Sequence, residues 1–163
     1  MPVLNHIIKI DTREQKELEF SPQTNTKKIC LKFGDYGCEI ETPEGEWVDV
    51  PIRFERKGFA DLFGTMGKGY ERFRKEMERA QKDNYKLFLL VEGSMKKVQK
   101  GYAYSMISGD TILKKMAMLE IRYGLHTHYF NNREEMTRFI EEIYDACVRN
   151  HPNPLHHVKQ NTI

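Results

Sequence analysis

The sequence has few cysteines, no long apolar run and no excess of charge of one sign. Its three cysteines, Cys30, Cys38 and Cys147, are widely spaced, and no two of them have the spacing of zinc ligands. An odd count also argues against a disulfide framework, so we expect reduced thiols in a cytoplasmic protein. The apolar runs are too short to cross a bilayer and the N-terminus lacks the apolar core of a signal peptide, so we expect no membrane association.

The charge balance excludes some classes of protein and permits others. The 26 basic and 24 acidic residues give a formal net charge of +2, which excludes a polybasic protein but leaves room for a local basic face. The 163 residues, 39% of them hydrophobic, are enough for one core. We predict a single domain over residues 1–150 and a flexible tail over residues 151–163. The alternative for the tail is a metal site formed by its three histidines, His151, His156 and His157.

Strand and helix patterns alternate along the chain, which is typical of an α/β fold. Turn residues between 42 and 46 predict a hairpin that joins the second and third strands. Residues 15–28 are either irregular or a weak helix, and residues 94–104 are predicted to form a loop. The predicted strands are 6–11, 28–39, 47–57, 85–92 and 126–130, and the predicted helices are 59–66, 70–82, one capped by Ser108 and one capped by Asn132.

Two acidic residues and a lysine form the main candidate for a chemical site. Glu55 and Lys57 are two residues apart in a predicted strand, so their side chains point to the same face. The hairpin brings Asp35 towards Glu55, and Asp61 follows in the first turn of the next helix. Two carboxylates and a lysine are the minimum set for metal-assisted phosphodiester cleavage, although Glu-x-Lys alone is more often a solvated strand face.

Three further segments allow two interpretations each. Near the start of the second helix, Lys68, Arg72 and Arg74 suit phosphate contacts, but such charges also form solvated helix faces. Residues 94–104 interleave lysines with tyrosines, which suits a nucleic-acid backbone with bases stacked nearby or an ordinary surface loop. The last helix carries an apolar stripe that suits either core packing or a partner surface, formed by Met136, Phe139, Ile140, Ile143, Tyr144 and Cys147.

The spacing of these motifs resembles a known family. Gly34-Asp35, a spacer, Glu55-Arg56-Lys57, three residues and Asp61 resemble the signature of the XPF/Mus-type structure-specific endonucleases, the ERCC4-domain family. Residues 11–14 and 89–92 resemble that family's opening Asp-x-Arg-Glu motif and a core strand, and the similarity extends over residues 7–145. It implies a nuclease domain with a restriction-endonuclease-like α/β core, in which helices flank a mixed central sheet and the active site lies at one edge.

The resemblance also implies an activity, which is hydrolysis of DNA phosphodiester bonds near a branch, flap or fork in DNA repair or recombination. The cofactor would be Mg²⁺ or Mn²⁺. Asp35 and Glu55 would bind the metal, with the Arg56 carbonyl as a further ligand. Lys57 would orient the attacking water and stabilise the developing charge. Asp61 would act through a water or on Lys57.

The remaining residues implied by the resemblance surround this core. Asp11 and Glu14 would complete or shape the metal site. Arg13 and Arg56 would lie close to DNA or brace the acids. Apart from the resemblance, the charges at the start of the second helix predict that Lys68 and Arg72 contact DNA as well.

The sequence also departs from the family pattern. Members typically continue with Gly-Arg and then Gln, whereas here the arginine is shifted to Arg72 and the glutamine is absent, which affects substrate positioning. The family's helicase and helix-hairpin-helix modules have no counterpart in 163 residues. We therefore expect a homodimer or heterodimer through the C-terminal helices or a separate partner, in a bacterial or phage-infected nucleoid, or in the nucleus of a eukaryote. The alternatives are a non-catalytic DNA-binding scaffold and a nuclease without structure specificity, including one that acts on RNA.

Overall fold

The computed structural model describes residues 4–150, so the predicted tail at 151–163 and its histidines lie outside the described residues. No helix in the described range combines the length and the apolar character needed to span a bilayer. The strands are β1 His6–Asp11, β2 Thr26–Ile29, β3 Tyr36–Glu41, β4 Trp47–Asp49, β5 Ile52–Lys57, β6 Lys86–Glu92 and β7 His126–Phe130. The helices are α1 Phe59–Met66, α2 Tyr70–Lys82, α3 Met95–Lys100, α4 Gly109–Tyr123 and α5 Arg133–Arg149.

One sheet organises the domain, in the order β2-β1-β3-β5-β6-β7, with β4 paired beside β3. Strand β1 is parallel to β2 and antiparallel to β3, and β3 is antiparallel to β5. From β5 onward the pairing is parallel, through β6 to β7. This mixed sheet flanked by helices confirms the predicted fold class.

Helices cover both faces of the sheet, because β6 is a continuous apolar strand that must be buried on both sides. One face packs against α5, whose Met136, Ile140 and Tyr144 are fully buried. The other face packs against apolar residues of α1, α2, α3 and α4. The stripe of α5 is therefore core packing, with Phe139 and Ile143 partly buried beside it.

The structure corrects three details of the predicted elements. The predicted strand 28–39 is interrupted, because Gly34 adopts a left-handed φ of 78° and the chain leaves the sheet between β2 and β3. The predicted strand 47–57 is divided at Pro51, which has no N–H to donate to a ladder. The predicted loop 94–104 contains α3, whose first turn is capped by a hydrogen bond from the Lys97 N–H to Ser94 Oγ of 3.0 Å.

A buried tyrosine gives a test of this packing. The Tyr144 hydroxyl donates a hydrogen bond of 2.8 Å to the Ile52 carbonyl of β5 inside the core. We expect Tyr144→Phe to lower the free energy of unfolding by about 1–2 kcal/mol, because a buried hydrogen bond is lost while the ring stays packed. Tyr104→Phe, at an exposed position, is the control and should change it by less than about 0.5 kcal/mol in the same urea titration. Equal losses in the two variants would contradict the assignment.

Candidate active site

The predicted acids meet where the central strands end. Strand β1 ends at Asp11 and β5 ends at Lys57, and the antiparallel strand β3 begins beside both of them. Asp35 lies immediately before β3, so it belongs to a loop and not to a strand as predicted. Its N–H donates to the Phe54 carbonyl at 2.8 Å, and its carbonyl accepts from the Asp11 N–H at 2.9 Å. These two bonds fix the backbone of Asp35 between β1 and β5.

Asp35 and Glu55 are carboxylates in a poorly hydrated environment. Burial first, and then the charge of Glu14, raise the pKa of Asp35 to about 7, against the opposing effects of the hydrogen bond from the Arg56 N–H and of the charge of Lys57. That hydrogen bond, from the Arg56 N–H to Asp35 Oδ2, is 2.8 Å long. Glu55 is only 6% exposed. Burial first, then the charges of Asp35 and Glu76, raise the pKa of Glu55 well above its ordinary value.

Lys57 supplies a positive charge beside these acids. Its Nζ lies 3.2 Å from Glu55 Oε1. Burial lowers the pKa of Lys57, but the carboxylates, led by Glu55, outweigh it and leave that pKa above its ordinary value. The ammonium therefore stays protonated at neutral pH and can donate hydrogen bonds, but it cannot act as a base.

The acids of the opening motif are each bound to an arginine. Asp11 is buried; its Oδ1 accepts from the Leu31 N–H and its Oδ2 accepts from Arg13 Nε, both at 2.9 Å. Glu14 accepts two hydrogen bonds from the Arg56 guanidinium, at 2.7 and 3.0 Å. The side chains of Arg56 and Glu14 are only 9% and 7% exposed. Two roles were predicted for Arg56, contact with DNA and support of the acids, and this buried bidentate pair fits the second. Arg13, by contrast, is exposed.

A cleft of about 390 Å³ opens over the acids. Its walls come from the strand ends on one side and from α1 and α2 on the other. The lining residues are Asp11, Arg13, Gly34, Asp35, Glu55, Lys57, Gly64, Thr65, Gly69, Arg72, Phe73 and Glu76.

A second, wider cleft adjoins the first and shares Asp35 and Lys57 with it. The exposed Asp61 of α1 lines this second cleft together with Glu14 and Arg56. Among the described residues, the ion-pair partner of Lys57 is Glu55 and not Asp61. Lys68 is exposed in the link between α1 and α2, outside the lining of both clefts. The structure thus brings together every predicted site residue except Lys68 and Arg74, which pairs with Glu71 and Glu78 of its own helix.

Glu76 is a site residue that the sequence analysis missed. It lies on α2, lines the first cleft, and its Oε1 accepts a hydrogen bond of 3.0 Å from the Gly34 N–H. The spacing offered a signal, because Glu76 lies four residues after Arg72 and therefore shares a helix face with it. That spacing alone could not show that this face meets the loop before Asp35.

The donors at this site fit a hard divalent cation. Within residues 4–150, no three acidic, histidine or cysteine side chains are already clustered as a metal site. Asp35 and Glu55 nevertheless provide carboxylate oxygens, which Mg²⁺ and Mn²⁺ prefer as ligands. Both pKa values are raised by burial and by neighbouring negative charge, so a cation between these groups would offset the unfavourable energy of ionising them.

The raised pKa of Asp35 predicts how the stability of the metal-free protein depends on pH. Between its ordinary pKa of 3.8 and about 7, the folded protein binds more protons than the unfolded chain, so the free energy of unfolding falls as pH rises. We expect Asp35→Asn to remove part of this fall and to stabilise the protein at pH 8 by roughly 1–4 kcal/mol. Urea titrations at pH 5 and pH 8 with chelator would measure the difference.

The control for this experiment is Glu46→Gln, which changes an exposed turn residue. It should leave the difference between the two pH values unchanged. Asp35→Asn protein that loses stability at pH 8 would contradict the unfavourable ionisation of Asp35.

Comparisons with known proteins agree with this architecture. The family model of the ERCC4 domain matches residues 10–143. Among solved structures, XPF from Aeropyrum pernix has a TM-score of 0.65 at 21% identity, over 94% of this chain and 69% of that chain. XPF from Aeropyrum pernix in complex with DNA has a TM-score of 0.62 at 20% identity, over 85% of this chain and 63% of that chain. A comparison with curated protein sequences gave no match. The family match covers most of the chain and the structural matches share its fold, so the chain belongs to the ERCC4 domain family and has the fold of the XPF nuclease domains.

Proposed function

We propose that this domain is a divalent-metal-dependent DNA endonuclease that hydrolyses phosphodiester bonds near a branch, flap or fork. The observation that carries the proposal is the pair of poorly hydrated carboxylates, Asp35 and Glu55, with the Lys57 ammonium 3.2 Å from Glu55 in one cleft. Membership of a nuclease family supports the reaction class. DNA as the substrate is supported by the similar fold of an XPF solved in complex with DNA.

Asp35 and Glu55 would hold Mg²⁺ or Mn²⁺, with the Arg56 carbonyl and Asp11 as further ligands. When bound, such an ion activates a water molecule and stabilises negative charge on the phosphate. Asp11 has a separate task in the protein itself, since it already accepts hydrogen bonds from Leu31 and Arg13 and so orders the segment before Asp35.

Lys57 would orient the attacking water and stabilise charge that develops on the scissile phosphate. Its pKa is raised by the surrounding carboxylates, so it acts as a fixed positive charge and hydrogen-bond donor. Asp61 would act through a water from the adjoining cleft. The Glu14–Arg56 pair would support the site from the adjoining cleft, by holding the end of β5 where the Arg56 N–H meets Asp35.

The DNA would follow the basic rim of the cleft. Arg13 and Arg72 are exposed at its lining, the first after β1 and the second on α2. Lys68 is exposed at the link that leads into α2. Contacts of this kind neutralise phosphates and position the backbone without reading the sequence. Arg56, predicted as a fourth contact, would reach a phosphate only by leaving Glu14.

A second candidate function is a non-catalytic DNA-binding scaffold of the same fold. The presence of Asp35, Glu55, Lys57 and Asp61 favours the enzyme, because a scaffold has no need of the buried Glu55 and the half-buried Asp35 beside a lysine. Cleavage of plain duplex DNA or of RNA would use the same catalytic groups. Only a comparison of substrates in a cleavage assay distinguishes these activities from cleavage near a branch. A role in repair or recombination follows from branch specificity.

A homodimer or heterodimer through the C-terminal helices also stays a prediction. The apolar stripe of α5 packs against the sheet of its own domain, so it offers no support for such an interface. Pairing through this region would have to use other residues, such as the exposed Met118 and Ile121 of α4.

The central test of the proposal is removal of the lysine or of one carboxylate. We expect Lys57→Ala and Asp35→Asn each to lower the cleavage rate by about 100-fold or more, because the first loses the positive charge beside the reacting phosphate and the second loses a carboxylate that would bind the metal. The assay uses labelled single strand, duplex, flap, fork and four-way junction with Mg²⁺, with Mn²⁺ and with chelator. Circular dichroism would check that both variants stay folded.

Lys82→Ala is the matched control, because Lys82 is an exposed lysine at the far end of α2. Its activity should equal that of the wild type. Full activity of the Lys57→Ala protein would refute the assignment of the site. Equal cleavage of duplex and fork by the wild type would retain the nuclease and remove its structure specificity.

Glu76 predicts a change in metal affinity. Its carboxylate adds negative charge beside Glu55, so a cation in the cleft should be attracted by it. We expect Glu76→Gln to weaken Mn²⁺ binding by roughly 2- to 10-fold, since glutamine keeps an acceptor for the Gly34 N–H and removes only the charge. Electron paramagnetic resonance titration without DNA would measure the dissociation constant.

Glu78→Gln is the control for this titration, because Glu78 is an exposed acid of the same helix that pairs with Arg74. It should leave the affinity unchanged. The same loss in both variants would mean that the overall charge of α2, and not the position of Glu76, governs metal binding.

A further inference from the structure

Outside the two clefts, the segment between α3 and α4 exposes large apolar side chains that the proposed reaction does not use. Tyr104 is 88% exposed and Met106 is fully exposed. The segment is held in shape by hydrogen bonds from the Ser105 N–H to the Tyr102 carbonyl, at 2.9 Å, and from the Ile107 N–H to Ser105 Oγ, at 3.2 Å. Single exposed apolar residues are common on proteins, so exposure by itself assigns no role.

A row of aromatic rings connects Tyr104 to the core. The Tyr104 ring lies 5.4 Å from the Tyr102 ring, measured between centroids. Tyr102 in turn lies 5.8 Å from Phe59 and 5.8 Å from the buried Phe63 of α1. These separations are typical of packed aromatic pairs. Tyr104 is therefore the outer ring of an edge-to-face row that is anchored on the core, and its exposed face is open to a further flat ring.

The aromatic row lies close to the proposed reaction centre. Phe59 and Phe63 belong to the same helix, α1, that lines both clefts with Gly64 and Thr65. Ile107 approaches the link after α1, since its Cδ1 is 3.0 Å from where a Cβ on Gly67 would be. An α-helix with its side chains is about 10 Å across, and Tyr104 lies two ring contacts beyond α1, so a strand of several nucleotides would extend from the cleft to Tyr104.

The segment that carries Tyr102 and Tyr104 has charges of one sign. The segment between Gly93 and Gly109 contains Lys96, Lys97 and Lys100 and no acidic residue. Lys97 Nζ lies 4.3 Å from the centroid of the Phe59 ring, so positive charge adjoins the aromatic row directly. Exposed aromatic rings beside lysines form the usual binding surface for single-stranded nucleic acid, because bases stack on the rings and phosphates pair with the charges.

We propose that Tyr104, supported by Tyr102 and flanked by Met106, stacks on an unpaired base of a single-stranded stretch that adjoins the cleavage site. The lysines of α3 contact the phosphates of that stretch. The proposal rests on the proposed function and deepens it, since a stacking site beside the cleft gives a physical reason for preferring junctions over plain duplex. Stacking on a tyrosine accepts any base, so no sequence preference is expected.

Binding measured without catalysis tests this site. Fluorescence anisotropy in chelator compares a labelled oligothymidylate single strand with a blunt duplex of the same length. We expect Tyr104→Ala to weaken single-strand binding by roughly 5-fold or more and to leave duplex binding unchanged. Tyr104→Trp should bind the single strand at least as tightly as the wild type. Trp47→Ala, which removes an exposed aromatic ring of β4, is the control and should have no effect.

A spectroscopic readout separates stacking from a general loss of affinity. Trp47 is the sole tryptophan of the chain, so Tyr104→Trp combined with Trp47→Phe leaves one indole at the proposed site. We expect the fluorescence of that indole to be quenched by the single strand and not by blunt duplex. Unchanged fluorescence would overturn the proposal, as would wild-type affinity of Tyr104→Ala, equal losses on both DNAs, or a wild type that does not bind single strands.

A cleavage assay on the same DNAs with Mg²⁺ distinguishes failure of the stacking proposal from failure of the nuclease proposal. A wild type that binds single strands through Tyr104 but cuts nothing supports the stacking site and refutes the enzyme. Normal cleavage of forks by Tyr104→Ala, with unchanged single-strand affinity, retains the enzyme and overturns the stacking site.

Discussion

Two backbone hydrogen bonds hold Asp35 between β1 and β5, and the candidate site depends on them. Its N–H binds the Phe54 carbonyl and its carbonyl binds the Asp11 N–H, so the loop before β3 cannot move without disturbing two strands. The Arg56 N–H then reaches the Asp35 carboxylate at 2.8 Å. A carboxylate that needs a fixed position is thus placed by main-chain atoms, which have far fewer conformations available than a long side chain.

The electrostatics of the site oppose its stability. Burial and neighbouring negative charge raise the pKa of both Asp35 and Glu55, so ionising them lowers the stability of the metal-free fold. Lys57 compensates part of this charge from within the cleft, and in the adjoining cleft Arg56 neutralises Glu14. A divalent cation between these carboxylates would offset this cost, because it would attract the same negative charges that oppose folding.

The two faces of the sheet have different tasks. On one face α5 buries Tyr144 and its apolar stripe, which secures the strands from which the site projects. On the other face α1 and α2 complete the cleft and contribute Arg72 and Glu76. The segment after α3 packs on α1 through Tyr102, so a single helix connects the candidate reaction centre with the exposed Tyr104.

The sequence alone determined the fold class, the long elements α2, β6 and α5, and the identity of Asp35, Glu55 and Lys57 as the central candidates. Periodicity shows which residues share a face of their own element, and motif spacing shows which elements carry chemistry. The tertiary structure alone decided that Asp35 lies in a loop, that Arg56 pairs with Glu14, and that Glu76 reaches Gly34. The last two contacts each join residues 42 positions apart, and local patterns carry no information on which faces of distant elements meet.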